Sequence, residues 1–581
     1  MTLLASDVAV PKAPDNAAGF ASRIRHLEPA MYLWILLIVF LLFLVALPLG
    51  KLIIASFESR DGGGFTIANY IEAYGRARYV GALLNSLLLS LVTATMAAVM
   101  AVPLAWAASR TNMPGKSLVW VGVLGAFMLP SYLGAIGWIL LAGPNSGFIN
   151  EAWRWISGSQ APLVNVFTFS GLALIIALQT FPLMFMFVKS SLDLVSSEME
   201  DAANILGAGT WKATWKVTLP LVWPAILGSA IVVFLETMAL FGTPAIIGIP
   251  ARVNTATTQL WQFFEYPVRV EVASAYAMPM LLITLAMIGG QRILLGRKGY
   301  VAQSGKGGER RLINMGVWRW ALLGYSVLVA LLAVVMPAMV LLQASFSKAW
   351  GKGLALTNLT LENYRFLILE HTTAMSGVGN TLMFSAAAAT LAVAIAVLVA
   401  YIVSRRLVPF GGALSFLVMA PFVIPGIVMA IGFYAAYASP PLSLYGTALI
   451  IILAFTARFL PIAFMSAKSA IGAVHPEMEE AARILGCGRI QSIMKITMSL
   501  LKKNLLGAWL IVFIFATQEL SAAIFLVGPN TRTMSVLLYD LSEAGNFEQL
   551  AALGGIQMLI TVLVVAVGMK LAGRDFMLRR S

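Results

Sequence analysis

Cysteine occurs once in the 581 residues, as Cys487, and histidine three times, at His26, His371 and His475 with no shared spacing. An intrachain disulfide is excluded, and a clustered His/Cys metal site has no set of donors to draw on. Charge is scarce as well: 11% of residues are Asp, Glu, Lys or Arg, against about 25% in soluble domains. No G-x-x-x-x-G-K-[ST] stretch is present, and Gly305-Lys306-Gly307-Gly308 lacks its spacing, so the chain has no loop built to cradle nucleotide phosphates. A membrane-embedded enzyme would need a His-rich or Asp-rich cluster, and none is present.

What fills the chain instead is apolar: 60% of residues are hydrophobic. This is the composition of an all-α polytopic membrane protein. With about 20 residues needed to cross the hydrocarbon core, spans are predicted near 31–55, 82–108, 118–142, 167–191, 220–248 and 271–295, then 317–346, 378–404, 412–438, 445–469, 504–528 and 551–573. These are twelve spans, six in each half. The net charge of +14 comes from Lys and Arg scattered between apolar runs, a pattern of topology control and not of nucleic-acid binding. Arg110, Lys116, Lys212, Lys216, the linker basic residues, Arg405-Arg406, Lys502-Lys503 and Arg579-Arg580 all fall on the side of the N-terminus. Both termini are therefore predicted to be cytoplasmic. The predicted organisation is a tail over 1–30, a first half over 31–296, a basic linker over 297–316 and a second half over 317–581.

The chain contains itself twice. SSEMEDAANILGAGTWKATWKVTLP runs from Ser196 to Pro220, and AVHPEMEEAARILGCGRIQSIMKITMS from Ala473 to Ser499; Gly207 and Gly486 set the offset at 279. Asn85-Ser86 and Asn380-Thr381, Ser109-Arg110 and Ser404-Arg405, and Pro130 and Pro425 repeat at 295, so the first half holds 16 extra residues, placed in its 143–166 loop. Equal, even numbers of spans make the two halves parallel repeats, with a pathway expected at their interface. In each motif copy apolar residues fall at i, i+3, i+4 and i+7, as in Met199, Ala202, Ala203 and Leu206 or Met478, Ala481, Ala482 and Leu485. That is one face of a short helix lying outside the bilayer, near 197–207 and again near 476–486. Ser197 with Glu200 reads as a capping box, Pro476 suits a first helical position, and Gly207 and Gly486 end the helices. The apolar stripe needs a partner surface.

Charges inside spans cost roughly 2.5–3.5 kcal/mol each at mid-helix, so the few that occur need a reason. Glu236 and Glu519 lie in the fifth spans of the two halves, and Arg458 matches Gln179 at the 279 offset, as Pro461 matches Pro182. Two readings stand side by side: Glu236 and Glu519 line a pathway or gate, or they serve packing, for instance with Arg458 paired to Glu519. MLPSYLG (128–134) and APFVIPGIV (420–428) are predicted to break or kink spans three and nine.

The paired helices resemble the EAA motif of permease subunits of ATP-binding-cassette importers: EAA, three residues, Gly, nine residues, Ile-x-Leu-Pro. The first copy reads Asp201-Ala202-Ala203, Gly207, Val217-Thr218-Leu219-Pro220; the second reads Glu480-Ala481-Ala482, Gly486, Ile496-Thr497-Met498-Ser499. Asp201 keeps the charge of the motif, whereas the missing proline is expected to change how the second loop re-enters the membrane. The resemblance implies a fold of two parallel six-helix repeats in the bacterial inner membrane and coupling helices built on Glu200 to Ala203 with Gly207, and on Glu479 to Ala482 with Gly486. It also implies two copies of a separate ATPase subunit, a periplasmic or extracellular binding protein, no cofactor on this chain and no nucleic-acid partner. Membrane lipid surrounds the spans. A fused pair of halves, PVRVEVASAYAMPMLLIT (267–284) and ATQELSAAIFLVGP (516–529) are similar to ferric-iron permeases; 2-aminoethylphosphonate and thiamine permeases are the alternative. A twelve-span secondary transporter is the rival of a different class, and it has no need of two docking helices.

Overall fold

The computed structural model describes residues 29–60, 63–195, 197–295, 312–353 and 355–572; most of the predicted tail, the linker from 297 to 311 and Arg579-Arg580 lie outside the described residues. Nine principal helices follow in the same order in each half. In the first they are α1 (Met31–Ala55), α2 (Ala77–Arg110), α3 (Lys116–Met128), α4 (Ser131–Ala142), α5 (Phe169–Leu194), α6 (Ser197–Ile205), α7 (Leu219–Ala239), α8 (Ala256–Phe264) and α9 (Val270–Leu295). In the second they are α10 (Trp318–Ser345), α11 (Thr372–Ser404), α12 (Gly411–Met419), α13 (Gly426–Tyr437), α14 (Ala448–Gly472), α15 (Pro476–Ile484), α16 (Met498–Thr517), α17 (Met534–Glu543) and α18 (Phe547–Ala572). Among the described residues ten helices are long and apolar enough to cross a membrane, and two bent pairs raise the number to twelve.

The bent pairs fall where proline removes a backbone donor and forces the preceding residue out of the helical region. Leu129 and Ile424 are extended, and Pro130 and Pro425 start the next helix. The chain turns through 103° between α3 and α4 and through 111° across the second break. Residues 118–142 and 412–438 are thus each two short limbs that meet at the predicted break.

Small residues bring the long helices together. Ala94, Ala97, Ala101 and Ala105 form a buried stripe on α2, repeated at 295 by Ala389, Ala392, Ala396 and Ala400 on α11. Lipid gives apolar residues no reason to leave it, so close backbone approach supplies the attraction; α2 packs on α5, and α11 on α14. The halves also exchange helices, since α1 packs on α13 and α10 on α4. A Cβ on Gly137 would stand 2.7 Å from Pro337 of α10, and one on Gly432 would stand 2.7 Å from the Pro48 carbonyl of α1. The two contacts are repeat-equivalent on the glycine side, and they lock each first helix against the other half.

The stretches 249–270 and 529–550, between predicted spans, carry the buried helices α8 and α17. The repeated Asn-Ser and Asn-Thr pairs hold them in place. Ser86 Oγ accepts from Ala256 N at 2.7 Å and Thr381 Oγ1 from Met534 N at 2.7 Å, while Asn85 and Asn380 donate to the carbonyls of Asn254 and Arg532.

Candidate functional site

The four polar span residues meet in one place. Gln179, Glu236, Arg458 and Glu519 all line a cavity of about 360 Å³ between the halves, together with Ser131, Tyr132, Thr180, Thr284 and Ser521. Its walls come from the breaks in both bent pairs, the middles of α5 and α14, and the ends of α7 and α16.

Arg458 donates from Nε to Glu519 Oε2 at 2.8 Å, and the other Glu519 oxygen accepts from Ala522 N at 2.9 Å. Gly426 leaves the space that the guanidinium fills, because a Cβ there would overlap it. The repeat-equivalent Gln179 donates to the Ser131 carbonyl at 2.7 Å and accepts from Thr243 at 3.1 Å. The same repeat position thus reaches the broken span through an amide in the first half and Glu519 through a guanidinium in the second. Across the halves, Tyr132 donates to Gln557 at 2.9 Å, and Gln557 donates to the Thr517 carbonyl at 2.9 Å.

Glu236 differs from Glu519. Its side chain is exposed on the cavity lining, and among the described residues no hydrogen bond or ion pair within 4.0 Å reaches it. The two acids also fall out of register: at the offset of 279, Glu519 aligns with Leu240 and Glu236 with Phe515. Both acids line the cavity, but Glu519 is paired with Arg458 and Glu236 is not ion-paired within 4.0 Å. Removing Arg458 leaves Glu519 as a largely buried charge without its partner, which costs about 3–5 kcal/mol. Arg458→Ala is expected to lower the melting temperature of the detergent-purified chain, and Arg458→Met combined with Glu519→Leu is expected to restore most of it. Phe127, Phe459 and Phe515 cluster on the side toward α6 and α15, with ring centroids 5.9 and 6.3 Å apart. On the opposite side Trp261 and Phe264 of α8 meet Phe525 of the second half at 5.5 and 4.8 Å.

The motif helices α6 and α15 stand apart from the bundle. Gly207 and Gly486 have φ of +81° and +88°, and Ala208 N and Cys487 N donate back to Ala203 and Ala482 at 2.9 and 3.0 Å. These are left-handed helix stops of the expected kind. Just before them the apolar stripe ends in the open, with Ile205, Leu206, Ile484 and Leu485 each 84–87% exposed. Glu480, Ala202 and Ala481 are also exposed, Ala203 is half-buried and Ala482 buried; the side chains of Ser197 and Asp201 lie outside the described residues.

Glu200 and Glu479 point the other way. Glu200 is buried, accepts from Thr218 Oγ1 at 2.5 Å and lies 3.7 Å from Arg110. Glu479 accepts from Arg405 Nη2, Tyr401 and Thr497, each at 2.8 Å. The sequence offers Arg110 and Arg405 as topology signals and does not disclose that they reach under the motif helices. Their recurrence at 295, beside acids recurring at 279, is the signal that could have found the pairing. The missing proline leaves no mark on re-entry either, since a π turn, Thr214–Thr218 or Ile493–Thr497, leads into α7 and α16 alike.

Residues 77–300 match the family described as binding-protein-dependent transport system inner membrane component, and the second half repeats the first. Residues 77–300 are a permease domain of that family. The permease is 27% identical over 543 residues to the ferric transport system permease protein FbpB of Actinobacillus pleuropneumoniae, covering 91% of this chain and 76% of that protein. It is also 27% identical over 526 residues to putative ferric transport system permease protein FbpB 1 of Haemophilus influenzae, covering 87% and 79%. The molybdenum transport system permease protein ModB of Escherichia coli is 29% identical over 212 residues, 35% of the permease and 89% of ModB. A bacterial alginate transporter, crystallised with an alginate pentasaccharide-bound periplasmic protein, covers 45% of the permease and 98% of its own chain, at 16% identity and a TM-score of 0.37.

Proposed function

We propose that this permease forms the inner-membrane pathway of an ATP-driven importer for ferric iron, with the cavity between the halves as the passage. The cargo reading is carried by Glu236, an acid presented to a largely apolar cavity and not ion-paired there within 4.0 Å among the described residues, and it agrees with the names of the relatives that span most of the chain. Hard cations favour carboxylate and hydroxyl oxygens. Among the described residues no group of three or more His, Cys, Asp or Glu could hold a metal ion, and a single acid suits a pathway that must release its cargo. Arg458 neutralises Glu519, so the cavity presents one carboxylate and not two.

In this reading α6 and α15 are coupling helices on the cytoplasmic side, each docked in a separate ATPase subunit through the exposed Leu206 and Leu485 ends, and both termini are cytoplasmic. A binding protein delivers iron on the opposite, periplasmic side, above the rings of α8 and Phe525. The test is affinity purification of the tagged permease from its native membranes together with whatever ATPase and binding protein it retains. The complex is expected to hydrolyse ATP and the permease alone to hydrolyse none; turnover by the permease alone, free of contaminants, overturns the reading.

A further inference from the structure

The clamp on Glu479 is more than the anchoring of a loop. Helix α15 has nine residues, of which Ala482 alone is buried. Apolar burial of one methyl group cannot fix the direction of a helix. One carboxylate, by contrast, is held from two sides: Arg405 and Tyr401 belong to α11 and its C-terminal end, and Thr497 belongs to the π turn leading into α16. Arg405 also donates to the Val474 carbonyl at 3.1 Å, just ahead of α15, and Ser492 Oγ donates to the Glu479 carbonyl at 3.3 Å. Hydrogen bonds with a charged partner are among the strongest a side chain makes. The first half repeats the scheme with Glu200, Thr218 and Arg110. There the position of Tyr401 is taken by Trp106, which stacks on Trp211 with centroids 5.7 Å apart.

We propose that Arg405, Tyr401 and Thr497 are positioning residues: by gripping Glu479 they make α15 a rigid lever on the bases of α11 and α16. Force applied to α15 then turns those two spans, where a looser joint would flex and absorb it. The inference rests on the reading of α15 as a coupling helix. Partial burial works against ionisation of Glu479, but hydrogen bonds from Tyr401, Arg405 and Thr497 and the charge of Arg405 outweigh it and hold the carboxyl below its ordinary value. A depressed carboxylate value means that the clamp is complete at neutral and mildly acidic pH and is lost as pH falls through that lowered value.

The single cysteine supplies the probe, because Cys487 follows the helix stop directly. A spin label on Cys487 of the full-length chain in lipid nanodiscs reads the mobility of α15, and the assembled importer reads iron transported per ATP hydrolysed. Glu479→Gln is expected to mobilise the label at every pH and to lower transport per ATP roughly tenfold, the scale of losing a charged hydrogen bond. Tyr401→Phe should do the same more weakly, and Arg405→Lys should preserve part of both. In the unaltered chain the label should loosen only below the ordinary carboxylate range. A label equally immobile in Glu479→Gln and Tyr401→Phe, or unchanged transport per ATP in both, overturns the lever. Leu485→Asp separates the two ideas: if it still assembles and couples, the docking reading fails, while label mobility continues to judge the clamp alone.

Discussion

Glu236→Gln is expected to lower ferric iron uptake by roughly tenfold to a hundredfold, the scale on which a metal site responds to losing a supporting group, while the chain stays as stable as before. Glutamine keeps the shape and removes the charge. No ion pair within 4.0 Å depends on Glu236 among the described residues, and Arg458 keeps its 2.8 Å partner Glu519. Glu519→Gln should behave in the opposite way. It strips Arg458 of its 2.8 Å partner, and its first symptom should be a lower melting temperature, with uptake falling as the folded fraction falls. The two variants, compared for uptake of radiolabelled iron and for thermal stability in detergent, separate a cavity acid from a packing acid. Normal uptake in Glu236→Gln would remove that carboxylate from the mechanism.

Gly486→Val and Gly207→Val should each reduce transport more than tenfold while leaving the chain inserted. Neither glycine has an atom within 4 Å of where a Cβ would sit, so the cost is not a clash. It is conformational: φ of +81° and +88° costs an ordinary L residue about 1–2 kcal/mol, and more when the side chain is β-branched. The helix stop then unwinds, and the exposed Leu206 or Leu485 end is no longer presented at a fixed angle. Because both loops share the helix stop and the π turn, the two variants should be equally damaging in spite of the proline that only the first loop carries. Transport and coupled ATP hydrolysis, normalised to the chain in the membrane, check both points; two variants that transport normally and still bind the ATPase would end the coupling assignment.

Much of this architecture is legible in the sequence because lipid imposes a simple rule: apolar runs of sufficient length become spans, and Pro130 and Pro425 break two of them. The motif helices are legible for the same reason in reverse, as capped polar segments between spans. Helices α8 and α17 are not, since each is short and rich in Thr, Ser or Gln, and it becomes helical through hydrogen bonds from α2 and α11 that a local pattern cannot contain. The clamps escape for a related reason. Glu200 and Arg110 are 90 residues apart, and a basic residue at the end of a span carries the same signature whether it faces lipid headgroups or reaches under a helix. For Glu236 and Glu519, similar placement in the fifth spans suggests equivalence, but the offset of 279 sets them four residues apart in repeat register. That separation puts one acid on Arg458 and leaves the other facing the cavity.

The proposed cargo is ferric iron, and uptake in a strain lacking the gene distinguishes it from the organic solutes. Cells supplied with radiolabelled ferric iron, 2-aminoethylphosphonate and thiamine in parallel are expected to lose iron uptake alone and to regain it with the unaltered chain. Undiminished iron uptake, together with loss of one of the organic solutes, would contradict the claim.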